Sequence, residues 1–226
     1  MPAALGPVAQ LRAGRLPVRV CQLLIGLAIY GVSIGLMIRS GLGNAPWDVL
    51  HQGLAQRLPL TVGTAIIVVS ALVLLLWVPL RQPPGLGTLL NAVLVGVAAE
   101  ATLNVLDVPD GIGWRAMFLG LGVVGNALAT ALYIGAQLGP GPRDGLMTGL
   151  HRRTGLSVRL VRTAIELVVV GVGWLLGGTL GVGTVVYALA IGPLVQVLMP
   201  WCTIQVRDPT DIERPERKGP LDTTTH

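Results

Sequence analysis

Apolar positions gather into long runs that charged residues interrupt only at wide intervals. Between one charge and the next lie Val20 to Ile38, Leu58 to Leu80, Gln82 to Ala99, Ala116 to Pro142 and Leu167 to Val206. A helix rises 1.5 Å per residue, so about 20 mainly apolar residues cross the hydrocarbon core of a bilayer. The last run is twice that length and contains Gly177, Gly178, Gly181 and Gly183, which reads as the end of one helix, a glycine hairpin and a second helix. The pattern predicts six spans, at 20–40, 60–80, 86–106, 116–137, 157–177 and 182–202. Arg12, Arg15 and Arg19 before the first run resemble the start of a signal peptide. Its 19 uncharged residues exceed the usual apolar region of about 7–15, so it reads as a mature helix.

Sliding the chain against itself by 96 residues aligns its halves without a gap. LGNAPWDVLHQGLAQRLPLTV at 42–62 lies over LGPGPRDGLMTGLHRRTGLSV at 138–158 with ten identities, and GLGTLLNAVLVG at 85–96 lies over GVGTVVYALAIG at 181–192. Two separated blocks sharing one offset indicate duplication. Each half holds three spans, and an odd number forces the second half into the membrane upside down. The expected fold class is therefore all-α and polytopic: six transmembrane helices in two inverted three-helix repeats, with short helices after the first and fourth spans. The expected division is a cytoplasmic segment at 1–19, a first repeat at 20–106, a second at 116–202 and a disordered cytoplasmic tail at 207–226.

Composition supports the bilayer as solvent. The 226 residues are 52% hydrophobic and 12% charged, with a mean hydropathy of +0.71. A soluble domain carries about 25% charged residues, so too little polar surface remains to cover a globule in water. Two cysteines cannot build a disulfide framework, and Cys21 and Cys202 both fall on the expected reducing side. With the N-terminus inside, Arg12, Arg15, Arg19, Arg81, Arg143, Arg152, Arg153, Arg159, Arg162, Arg207, Arg214, Arg217 and Lys218 are cytoplasmic, and only Arg39, Arg57 and Arg115 are outside. The net charge of +5 thus reads as a topology signal, with no face suited to nucleic acid. Trp47, Trp77, Trp114, Trp174 and Trp201 all fall near predicted helix ends, where an indole suits the headgroup level.

The paired connections are the first candidates for chemistry. Gly43 and Asn44 lead into Pro46 and Asp48, and Gly139 and Gly141 lead into Pro142, Arg143 and Asp144. Proline suits a first helical position and a carboxylate the first turn, so each segment predicts the start of a short helix. Asp48 and Asp144 then either cap helix N-termini at the two membrane surfaces or belong to re-entrant helices that line a cavity. Arg162 and Glu166, four residues apart, can pair on one helix face, and an ionisable group inside a span is a functional candidate by default. Glu100, whose counterpart is Gln196, is the other carboxylate within a span. Asn91, Asn126, Tyr30 and Tyr187 are further polar groups there, suited to interhelical hydrogen bonds. Thr88, Ala92 and Gly96, mirrored by Thr184, Ala188 and Gly192, form small-residue faces that predict central places for the third and sixth helices. His51, His151 and His226 lie on separate segments, with no metal-binding spacing, nucleophile elbow or phosphate loop, so neither an enzyme nor a cofactor is expected.

The segments LGNAPWDVLHQGL, GPGPRDGLMTGL and GGTLGVGTVVYALAIGP resemble the YczE/YyaS/YitT-like bacterial membrane proteins. The resemblance covers roughly residues 20–202 and implies a small polytopic protein of the bacterial cytoplasmic membrane; it carries no site residues with it. Inverted three-helix repeats recur in secondary transporters. The expected function is a small secondary transporter or permease moving a small solute through a cleft between the repeats. Asp48, Asp144, Arg143, Arg162, Glu166, Glu100, Asn91 and Gln196 are the candidate substrate- or ion-binding residues. The alternatives are a non-transporting accessory or scaffold protein, or the substrate-binding subunit of a larger importer. The bilayer is the expected partner, with a homo-oligomer or a second membrane protein open to either.

Overall fold

A computed structural model describes residues 6–206, and within them every regular element is a helix. They are α1 (Pro7–Arg12), α2 (Leu16–Ser40), α3 (Pro46–Arg57), α4 (Val62–Leu80), α5 (Leu86–Val105), α6 (Ile112–Gly135), α7 (Pro142–Thr154), α8 (Val158–Leu175) and α9 (Val182–Cys202). The expected tail at 207–226 lies outside the described residues. Local chemistry sets several boundaries. The Thr61 and Ser157 side chains accept hydrogen bonds from the Thr64 and Leu160 backbone N–H groups, which starts α4 and α8 at equivalent places. Gly41 and Gly155 take left-handed conformations just past α2 and α7.

Five helices, α2, α4, α5, α6 and α9, are long and apolar enough to cross a membrane. The remaining expected span coincides with the 18-residue α8, which is not one of the five and carries Arg159, Arg162 and Glu166 in its first half. The short helices expected after the first and fourth spans are α3 and α7.

Small residues decide the packing. The central pair is α2 and α6, with α5 beside α2 and α9 beside α6. Gly31 on α2 lies against Ala98 and Ala99, where an added methyl would stand 2.5–2.6 Å from their atoms. Gly122 on α6 meets Met37 just as closely. The third and sixth spans are thus flanking elements, which corrects the central placement expected from their small-residue faces. These faces also differ: Gly96 is buried against Gly63 and Ile67 of α4, whereas Gly192 on α9 is exposed with nothing within 4 Å of its missing side chain.

Equivalent contacts recur 96 residues apart, with the halves exchanged. The Gly87 N–H donates to the Leu138 carbonyl at 2.7 Å, and the Gly183 N–H donates to the Leu42 carbonyl at 2.8 Å. Gly145 of α7 abuts the Trp77 ring of α4, and Gly173 of α8 abuts Val49 and Leu50 of α3. The seams between consecutive helices break this pattern. α4 and α5 pack closely, while α8 rests on α3 and α7 and hardly touches α9.

Two tryptophans depart from the expected headgroup placement. Trp114, Trp174 and Trp201 are 60%, 60% and 87% exposed, as interfacial indoles would be, but Trp47 and Trp77 are buried at 5% and 2%. The Trp77 indole N–H donates to the Pro142 carbonyl at 3.0 Å, so it joins α4 to the start of α7. Arg19, expected on the cytoplasmic side, is buried as well. Its guanidinium is fully buried, donating to the carbonyls of Ala136 at 2.8 Å, Gln137 at 2.6 Å and Gln10 at 2.6 Å. It ties the start of α2 to the end of α6 and to α1.

Candidate functional site

The gap left between α8 and α9 opens into a cavity of about 310 Å³ at the centre of the bundle. Its polar wall is the start of α7. Gly139, at φ +119°, takes a backbone conformation that side chains disfavour, and an added methyl there would stand 2.9 Å from the Gly85 Cα, so glycine is required on both counts. The chain then enters α7 at Pro142, which has no N–H to leave unpaired and a φ suited to a first turn. Arg143 and Asp144 follow on that turn, facing α2 and α6. The Arg143 guanidinium donates to the Tyr30 hydroxyl at 2.5 Å and lies 5.6 Å from the ring centroids of both Tyr30 and Trp47. Planar and delocalised, it suits this aromatic setting better than a lysine ammonium would. The Tyr133 hydroxyl donates to the Asp144 carboxylate, and the Tyr30 and Tyr133 rings meet edge to face at 6.1 Å.

Trp47 is the second residue of α3, so the beginnings of α3 and α7 come together around Arg143 instead of standing at opposite surfaces. Asp48 and Asp144 do not act as side-chain caps: the residues before both helices, Ala45 and Gly141, make no side-chain cap bond. Asp48 is 1% exposed and pairs with His51 Nδ1 at 3.2 Å, behind the cavity wall. Arg162 on α8 donates to Glu166 at 2.8 Å, as the spacing of four residues anticipated, and both line the opposite wall. Asn91 and Gln196 line the cavity too. Glu100 stands apart: its carboxylate accepts from the Gly63 backbone N–H at 2.9 Å, in the closed seam between α4 and α5.

Six of the eight residues singled out from sequence therefore share one cavity: Asn91, Arg143, Asp144, Arg162, Glu166 and Gln196. Asp48 lies behind it and Glu100 away from it. Tyr30 and Tyr187 belong to the lining beyond their expected structural part, Tyr187 also donating to Asn126 at 3.1 Å. Tyr133 and Trp47 had no signal as site residues. Trp47 stands next to Asp48 on the same short helix, and its nearness to a helix end resembled an interfacial anchor. A second, smaller cavity of about 20 Å³ lies beyond Trp47, Pro142 and Arg143, towards Ser70 and Val73 of α4. Those three residues and Asn91 line both spaces and separate them.

Residues 17–200 match DUF6198, a family of unknown function. The chain belongs to that family. It is 41% identical over 177 residues to an uncharacterized protein of Haemophilus influenzae, covering 78% of this chain and 81% of the relative. It is 34% identical over 177 residues to the uncharacterized membrane protein YczE of Bacillus subtilis, covering 77% and 82%. It is also 28% identical over 180 residues to YyaS of the same organism, covering 78% and 90%. The YczE/YyaS likeness read from the sequence is thus shown, and this member of DUF6198 is a helical membrane protein. No solved structure matches the chain.

Proposed function

We propose that this DUF6198 protein is a small secondary transporter of the bacterial cytoplasmic membrane, with α2, α4, α5, α6, α8 and α9 as its six spans. The carrying observation is the difference between two equivalent seams. α4 and α5 are closed through Gly63, Gly96 and Glu100, while α8 and α9 stand apart around a charged and aromatic cavity. The contacts repeated at an offset of 96 support two inverted repeats. In such an arrangement, exchanging the two seam conformations moves the opening from one side of the membrane to the other. The basic residues favour a cytoplasmic N-terminus, which makes the α8–α9 opening face inward. Trp47, Pro142 and Arg143 then form the layer that shuts the cavity from the opposite side. α8 tolerates its charges because Arg162 and Glu166 neutralise one another at the water-filled mouth.

Directional cysteine labelling tests this reading. With Cys21 and Cys202 replaced by Ser, single cysteines at Gln196 in the open cavity and at Ser70 beyond the barrier are treated with a membrane-impermeant maleimide in oriented vesicles. A transporter gives labelling of Gln196→Cys from the inner side and of Ser70→Cys from the outer side, and cross-linking α8 to α9 increases the second. Labelling of both positions from one side, or of Ser70→Cys from neither side in any state, would refute alternating access.

A further inference from the structure

We infer that the cavity binds a small organic anion through its carboxylate, with Arg143 as the anchor; this deepens the transporter reading and rests on it only for the passage of the ligand. Among the described residues, the one buried side-chain atom of the cavity lining without a partner is a donor, the Trp47 indole nitrogen. Arg143 makes its hydrogen bond to Tyr30, and no carboxylate lies within 4.0 Å of it among the described residues. Trp47 is nine-tenths buried and lines the cavity, yet its indole N–H has no acceptor among the described residues. The acidic groups are in the opposite condition: Asp144 accepts from Tyr133, Glu166 from Arg162, and Asp48 is paired with His51.

A buried donor without an acceptor is unfavourable, so the missing component is an acceptor, and beside a guanidinium a negative one. The Tyr30 and Trp47 rings each stand 5.6 Å from the guanidinium carbon, and a guanidinium held in such a setting can make the two-pronged contact that suits a planar carboxylate. The first turns of α3 and α7 add the positive ends of two helix dipoles, offsetting Asp48 and Asp144 on those turns. Tyr133, Tyr187, Met147 and Ile191 supply an apolar and aromatic wall for the body of the ligand, and about 310 Å³ accommodates a molecule of one ring.

The test uses the full-length chain in detergent, with tryptophan fluorescence and thermal shift as readouts. The probes are benzoate, hexanoate and pyruvate, each acid beside its neutral amide, and benzylamine as a cation of similar shape. At least one acid should bind saturably, and about tenfold or more tighter than its amide, because a charge-assisted bond is replaced by a neutral one. This comparison within the unaltered protein needs no variant to fold. Arg143→Gln should abolish the preference for the acid, and Arg143→Lys should restore only part of it. Equal binding of acid and amide, tighter binding of benzylamine, no saturable response to any acid, or an acid preference that survives Arg143→Gln would each overturn the inference. The two readings fail separately. An acid that binds but never enters proteoliposomes counts against transport alone, whereas carriage of an amine with no acid bound counts against the anion site alone.

Discussion

Replacing Arg19 with Met removes a guanidinium while keeping most of the volume of its stem. The side chain is fully buried and donates to the carbonyls of Ala136, Gln137 and Gln10 at 2.8, 2.6 and 2.6 Å, with a longer contact to that of Gly14 at 3.4 Å. Two belong to the turn that ends α6, where the helix has run out of N–H donors of its own. Leaving each carbonyl without a donor costs about 1–1.5 kcal/mol, so the three together cost about 3–4 kcal/mol. A chain of this length loses about 2–4 °C per kcal/mol, which puts the fall in thermal midpoint near 10 °C. The assay is thermal unfolding in detergent, following tryptophan fluorescence, with Arg12→Met as the comparison because Arg12 is exposed on α1. Arg19→Lys should recover less than half of the loss, since one ammonium cannot reproduce the fork. If Arg19→Met melts within about 2 °C of Arg12→Met, the guanidinium is not holding the α6–α7 junction and the reasoning is wrong.

Gly96→Val should lower the midpoint by several degrees, because the closed α4–α5 seam has no space at that position, whereas Gly192→Val should leave it unchanged; equal effects would show that the seams do not differ. Trp77→Phe removes the donor to the Pro142 carbonyl together with part of the buried ring volume, and a loss of about 2 kcal/mol or more in unfolding measurements is expected. Trp201→Phe, at a site 87% exposed, should be neutral in the same experiment. Gly145→Leu should be unable to fold to the native packing, since the Trp77 ring occupies the space of a side chain there; monodispersity on size exclusion reads this directly.

Five of the six expected spans were legible because apolar run length maps almost directly onto helix length in a bilayer, and the glycine turn between α8 and α9 fell where expected. The short helices α3 and α7 were legible as well, since Pro46 and Pro142 announce first turns. Their meeting was not, because no local pattern states that two connections approach each other through the core. Trp47 and Trp77 were misplaced for a shared reason. Closeness to a helix end in sequence resembles closeness to the membrane surface, but residues of α3, α4, α7 and α8 cluster around both indoles. Glu100 and Glu166 looked alike as carboxylates within spans. Only packing separates them, since Gly63 gives Glu100 a backbone partner in a closed seam while α9 leaves Glu166 beside open space.

The charge pattern of α8 bears on how the chain reaches the bilayer during synthesis. Its first nine residues contain Arg159, Arg162 and Glu166, and only the stretch beyond them is continuously apolar. A charged side chain at the centre of an inserting helix costs about 2.5–3.5 kcal/mol, and less towards its ends. α8 alone is thus a poor substrate for lateral exit from the translocation channel, while α9 is uniformly apolar and carries no charge. In the proposed six-span arrangement the two emerge as a hairpin joined by the glycine turn, and α8 would enter the lipid as a passenger of α9. The helix that follows α8 in the chain is, in that arrangement, the one that commits it to the membrane.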